Sequence, residues 1–272
     1  MAKKWSEVTI EKMIKKGCGS GTVEDYIPWI HIKDVPSEGN SNRPEGWKTN
    51  RTHQLLSNLE FNVLLGYEWS DEVVDIREQF PLDRLKTIEL ADKLSIRHSV
   101  YIGTDVKVVM TTDFLLTVKS EDGNKLIART VKPEKKLSDK RTIEKLQLEK
   151  AYWENQGIDW RIITDKEIDE NFKNNMIWLH NHKKPQGLPF DPGIILMLTE
   201  ELKSALYHTN ETFLSCFARF DNRFNLPGGT AITLFRHCLA NKKMKVKNMS
   251  ERIDLTKEVL QILDVNFITS LE

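Results

Sequence analysis

The sequence predicts an α/β fold: a mixed β-sheet with helices on its faces, followed by a small, mainly helical, winged-helix-like C-terminal domain. Three observations predict it. Apolar, β-branched runs within 72–80, 108–118 and 126–131 are interspersed with amphipathic helical stretches. The last two runs are joined by Glu121-Asp122-Gly123-Asn124, turn chemistry that makes a β-hairpin. A polar, Pro- and Gly-containing stretch at 180–190 then separates a domain at 1–180 from one at 190–272.

Composition limits the function only weakly. At 272 residues the chain can bury a sizeable core, and Lys+Arg balance Asp+Glu at 40 each. Neutrality does not exclude a nucleic-acid enzyme, because only the contact surface must neutralise phosphates. No apolar run approaches the roughly 20 residues of a spanning helix, and the N-terminus has no signal-peptide apolar core. Cys18, Cys216 and Cys238 are odd in number, far apart and outside metal-ligand spacing. They read as free thiols in a reducing, cytoplasmic setting, with no membrane partner.

In chain order, residues 6–16 form a short helix capped by Ser6 and ended by the glycine-rich 17–21 loop. No strand precedes that loop and no Gly-Lys-Ser/Thr follows it, so it is a linker and not a phosphate cradle. Tyr26 to Val35 alternates like an edge strand interrupted by Pro28. Residues 36–50 are a polar loop or loose hairpin around Trp47-Lys48-Thr49. Residues 53–67 are helical, with Leu55, Leu56, Leu59, Val63 and Leu64 near one face and Glu60 beside that stripe. A strand at 72–80 precedes a helix at 84–94, and the hairpin follows. Residues 137–156 form the strongest helix, with Ser138 as N-cap and Ile143, Leu146, Leu148 and Tyr152 on its core side. A buried strand at 160–164 and a helix from Asp165 complete the first domain. His180-Asn181-His182 lacks further ligands at metal spacing and reads as a solvated helix end. Helices at 192–208, 211–219 and 230–241 and a basic edge strand at 242–247 suggest the winged-helix-like module, closed by a helix at 258–263.

Two charges sit where an apolar hairpin should not want them: Asp113 on the first strand and Lys132 at the end of the second. An acid, a hairpin and x-x-Lys ending a strand is the D-(x)n-(E/Q)-x-K layout of metal-dependent nucleases. Hard cations such as Mg²⁺ take carboxylate, carbonyl and water oxygens. Asp113 and Glu60 are candidate ligands, with the Val131 carbonyl as a neutral one. Thr130 stands where the layout has Glu or Gln and offers one weak oxygen. Glu149 is a candidate for the missing carboxylate, ahead of Gln147. Lys132 would orient the attacking water or stabilise its charge.

The strings DYIPW, VVDIREQFPL, TDFLL, VKP, RTIEKLQLEKAYW and IDWRIITDKEI resemble TnsA, the endonuclease subunit of heteromeric cut-and-paste transposases, from about Gly21 to Ile177. The resemblance implies a restriction-endonuclease-like sheet with Glu60, Asp113 and Lys132 as the catalytic triad and Glu149 as a further acidic residue. It implies hydrolysis of the 5′ strand of double-stranded DNA at transposon ends with Mg²⁺, which Mn²⁺ can replace. It also implies a TnsB-like transposase and a TnsC-like AAA+ regulator as partners. Lys125, Arg129, Lys135, Lys136, Lys140, Arg141, Lys145 and Lys150 would offer a basic face to duplex DNA. The rival reading is a non-catalytic nuclease-fold adaptor between transposase and regulator, with Thr130 as a symptom of decay. A free-standing restriction or repair nuclease is a third.

Overall fold

Short polar side chains begin the helices, each accepting an N–H from its own first turn: Ser6 from Thr9, Ser57 from Glu60, Asp83 from Lys86, Asp139 from Thr142 and Asp169 from Phe172. The computed structural model describes residues 5–34, 40–185, 188–264 and 266–267. The chain divides into two compact units, Met1–Ile168 and Asp169–Glu272. This division lies one helix before the polar 180–190 stretch, of which Gln186 and Gly187 fall outside the described residues.

The first unit contains α1 (Glu7–Lys15), α2 (Asn58–Trp69), β1 (Val73–Pro81), α3 (Arg84–Lys93), β2 (Thr111–Val118), β3 (Lys125–Val131), α4 (Lys140–Glu154) and β4 (Asp159–Ile163). The strands form a mixed α/β sheet in the order β1-β2-β3-β4, antiparallel except for β3 and β4, which run parallel. Phe114, Leu116, Ile76 and Val131 pack on one face against Val63 and Leu64 of α2. Leu115 and Ala128 pack on the other against Tyr152 and Trp153 of α4. A third cluster joins Ile10 and Met13 of α1 to Trp29 and Val109.

Several sequence expectations shift for local reasons. Tyr26 to Asp34 is not a strand: it follows a 3-10 turn at Val23–Asp25 and ends in another at Ile32–Asp34, and Val35 lies outside the described residues. Its apolar residues are pinned individually, Tyr26 by a hydroxyl bond to the Glu78 carbonyl and Trp29 by an N–H to the Gln79 carbonyl. The expected helix at 53–67 starts at Asn58, because Leu55 pairs with Asn42 in a short bridge. Asp139, not Ser138, caps α4, and Ile143 is exposed, leaving Trp153 and Glu149 on the buried side. In the 84–94 segment the apolar Leu85 and Leu94 are exposed, while Thr87 and Ala91 are the buried residues of the helix. β4 is an edge strand with half-exposed residues, where a buried strand is predicted. Asp165 opens only a 3-10 turn.

The second unit contains α5 (Glu170–His180), α6 (Pro192–Tyr207), α7 (Phe213–Arg223), α8 (Thr230–Ala240) and α9 (Val259–Ile262). Its core gathers Leu202, Phe213, Phe217, Leu234 and Phe235. Asp221 of α7 accepts the Gly229 and Ala231 N–H groups at the start of α8, joining the two helices. The basic run at 242–247 is not a strand: it turns, and only Val246 forms a bridge, with Leu263. Its alternation reflects burial of Met244 and Val246. Among the described residues, no helix is long and apolar enough to cross a membrane.

Candidate active site

Glu60 is the third residue of α2, and the cap explains why a carboxylate lies there. Ser57 accepts the Glu60 N–H and donates its hydroxyl to Glu60 Oε1 at 2.9 Å, while the Leu56 N–H donates to Oε2 at 2.9 Å. The helix start therefore holds Glu60 at the edge of the sheet. Asp113 is the third residue of β2, and its Oδ2 accepts the Val131 N–H at 2.7 Å. Lys132, just beyond β3, donates from Nζ to that same oxygen and to the Val131 carbonyl, each at 2.9 Å. Glu149, on the buried side of α4, accepts through Oε1 from the hydroxyls of Thr112 and Thr130.

Glu60, Asp113, Val131, Lys132 and Glu149 line one cavity of about 910 Å³, together with Gln79. The sequence expectations thus meet in space, with one exception. Thr130 is buried beneath, donating to Glu149 and accepting from the Trp160 indole. It supports Glu149 and is not part of the lining. Nothing in the sequence marks Gln79 or Thr112 as part of a site. Gln79 falls in step with Asp75 and Arg77 along β1, and nothing in that spacing separates it from them.

The charged groups of the cavity act on one another. Burial, and then repulsion from Asp113, pushes both Glu60 and Glu149 up to about 7. Burial works against the Lys132 ammonium, yet Asp113 outweighs it and raises Lys132 above its ordinary range. Glu60, Asp113 and Glu149 share the cavity with Lys132, whose ammonium is bonded to Asp113, and with the exposed Lys135, Lys136 and Lys145. Among the described residues, no three His, Cys, Asp or Glu side chains are gathered closely enough to hold an ion by themselves. A pair of carboxylates with a backbone carbonyl still suits Mg²⁺, which keeps several waters and takes further oxygens from phosphate.

Two family models match in succession: the TnsA-like endonuclease N terminal over residues 70–165 and the TnsA endonuclease C terminal over 167–247. The chain is also 39% identical over 242 residues to the transposon Tn7 transposition protein TnsA of Escherichia coli, covering 89% of this chain and 86% of that one. The chain belongs to the TnsA endonuclease family. It is accordingly an endonuclease of a transposition system. Asp113, Lys132 and Glu149 lie within the TnsA N-terminal match, and Glu60 lies ahead of it within α2.

Proposed function

We propose that this TnsA-family chain is a Mg²⁺-dependent DNA endonuclease subunit that hydrolyses the 5′ strand at transposon ends. Glu60 and Asp113, with the Val131 carbonyl, would hold the cation, and Thr130 would serve indirectly through Glu149. When bound, the cation supplies Lewis acidity and positive charge for phosphodiester hydrolysis. Lys132, anchored on Asp113 Oδ2, presents its ammonium to charge developing on the phosphate. Glu149, pushed up to about 7, can hold or release a proton near neutral pH. The single observation that carries this reading is the convergence of Glu60, Asp113, Lys132 and Glu149 on one cavity.

The first unit is read as a restriction-endonuclease-like catalytic core. The second is read as a winged-helix-like module for interaction, and a TnsB-like transposase and TnsC-like AAA+ regulator are the proposed partners. Isothermal titration with Mn²⁺ tests the metal: binding by the wild type that disappears in Glu60→Ala supports the reading. The adaptor reading, which draws on Thr130 in the layout's Glu/Gln slot, is separated by the same titration. An adaptor would bind no Mn²⁺.

A further inference from the structure

Gln79 carries three independent peculiarities. The residue is 2% exposed and lines the cavity beside Glu60, Asp113 and Lys132. Its backbone is left-handed, with φ +49, in the interior of β1. Such a conformation is strained for a residue with a β-carbon and persists only where its surroundings impose it. The third peculiarity is that face alternation fails at this level of the sheet. Phe114, paired with Glu78, packs with the α2 cluster, whereas Thr112, paired with Phe80, meets Trp153 and Glu149 of α4. Residues two apart on a regular strand share a face; here Gln79 and Asp113 occupy the step between.

The carboxamide is engaged at both ends. Nε2 donates to Glu60 Oε2 at 3.2 Å, and Oε1 accepts from the Thr111 hydroxyl at 3.4 Å. With its carbonyl end turned to Thr111, the amide offers Glu60 a donor and not an acceptor. The other donors to this carboxylate, Ser57 and Leu56, come from the start of α2 itself, so Gln79 ties the carboxylate to the sheet that bears Asp113.

The geometry points to Gln79 as a positioning residue, whose carboxamide holds Glu60 in the cavity-facing orientation needed to bind a divalent cation. This rests on the metal-nuclease reading above and assigns Gln79 no contact with substrate. Partners that orient ligating side chains contribute about 10- to 100-fold to metal affinity.

The test compares wild type, Gln79→Met and Gln79→Gly as full-length chains by Mn²⁺ titration calorimetry, melting curves and strand cleavage in the assembled transposase. Methionine keeps the length but not the bonds, and glycine removes the side chain while accepting the left-handed backbone. Both variants should bind Mn²⁺ about 10- to 100-fold more weakly, with Gln79→Gly melting near wild type. Cleavage by Gln79→Gly should recover at saturating Mn²⁺, since Glu60 is still present. Unchanged Mn²⁺ affinity overturns the assignment, as does cleavage that stays low at saturating metal. A Gln79→Gly melting point lowered as far as that of Gln79→Met would place Gln79 in the fold and not the site. A wild type that binds no Mn²⁺ would instead remove the nuclease reading and this inference with it.

Discussion

Lys132 Nζ lies 2.9 Å from Asp113 Oδ2, and the backbone N–H of the intervening Val131 donates to that same oxygen. One carboxylate oxygen thus joins β2 to the end of β3, so the hairpin itself sets the distance between acid and lysine. Asp113→Ala and Lys132→Ala should each abolish strand cleavage in the assembled transposase. Both should retain the far-UV circular dichroism of the wild type, because the sheet around them is held by Phe114, Leu116 and Val131. Cleavage by purified Asp113→Ala would show that the reacting phosphate lies elsewhere.

Glu149 gives a pH test that needs no substrate. Burial, then Asp113, raises it from 4.5 to about 7 in the folded chain. Between those values the unfolded chain binds fewer protons than the folded one, so stability falls as pH rises. Glu149→Gln should therefore melt above wild type at pH 8, and the difference should shrink as pH falls toward 4.5. A penalty of a few kcal/mol corresponds to about 2–4 °C per kcal/mol for a unit of this size. Mg²⁺ should raise the wild-type melting point more at pH 8 than at pH 5, because the carboxylates must be ionised to bind it. Scanning calorimetry at these pH values measures both effects, and a Glu149→Gln curve parallel to wild type would contradict the first.

How far this site could be read in the sequence follows from what each residue does. Asp113 and Lys132 stand out because each is a charge in an apolar hairpin, and α4 identifies itself by period, bringing Glu149 with it. Gln79 does not stand out, since a left-handed backbone on a residue other than glycine leaves no mark in an alternating pattern. The 26–34 segment misleads for the opposite reason. Its apolar spacing imitates a strand, but Tyr26 and Trp29 are held by separate bonds to the β1 backbone. Arg141 and Lys145, a like-charge pair one helical turn apart, are reconciled by partners of Arg141 on its own helix and beyond it. The Arg141 guanidinium is held by Glu144, the Arg97 carbonyl and the Ser99 hydroxyl.

A second buried network should dominate acid stability. Glu78 accepts from Arg51 at 2.6 and 2.8 Å and lies 2.8 Å from His53 Nδ1. Burial alone would raise Glu78, but His53 and Arg51 overcome it and hold the carboxylate at about 2. Burial likewise opposes the His53 charge, and Glu78 and Glu68 outweigh it, raising His53 above 6.5. The Glu78 contribution is present above pH 4.5 and is lost as pH falls toward 2. The His53 contribution is complete below 6.5 and is lost as pH rises through its raised folded value. Glu78→Gln, which leaves Arg51 buried without its counter-charge, should cost about 3–5 kcal/mol by urea denaturation. The loss should be largest between pH 4.5 and 6.5, and a loss independent of pH would mean the network acts by packing alone.

The basic residues around the cavity divide by whether their charge is already engaged. Lys135, Lys136 and Lys145 are exposed and border the same cavity as Lys132. Lys145 also borders an adjoining cavity of about 490 Å³ with Arg97 and Arg141. If a duplex follows this edge, replacing Lys135, Lys136 or Lys145 with Ala should weaken DNA binding about equally for all sequences. Each replacement should reduce the slope of log affinity against log salt by about 1. Arg141→Ala should change that slope less, since its guanidinium already faces Glu144, and should instead lower the melting point. Fluorescence anisotropy on a labelled duplex across a salt series separates the two classes. Slopes unaltered by all three lysine replacements would move the DNA to another face of the protein.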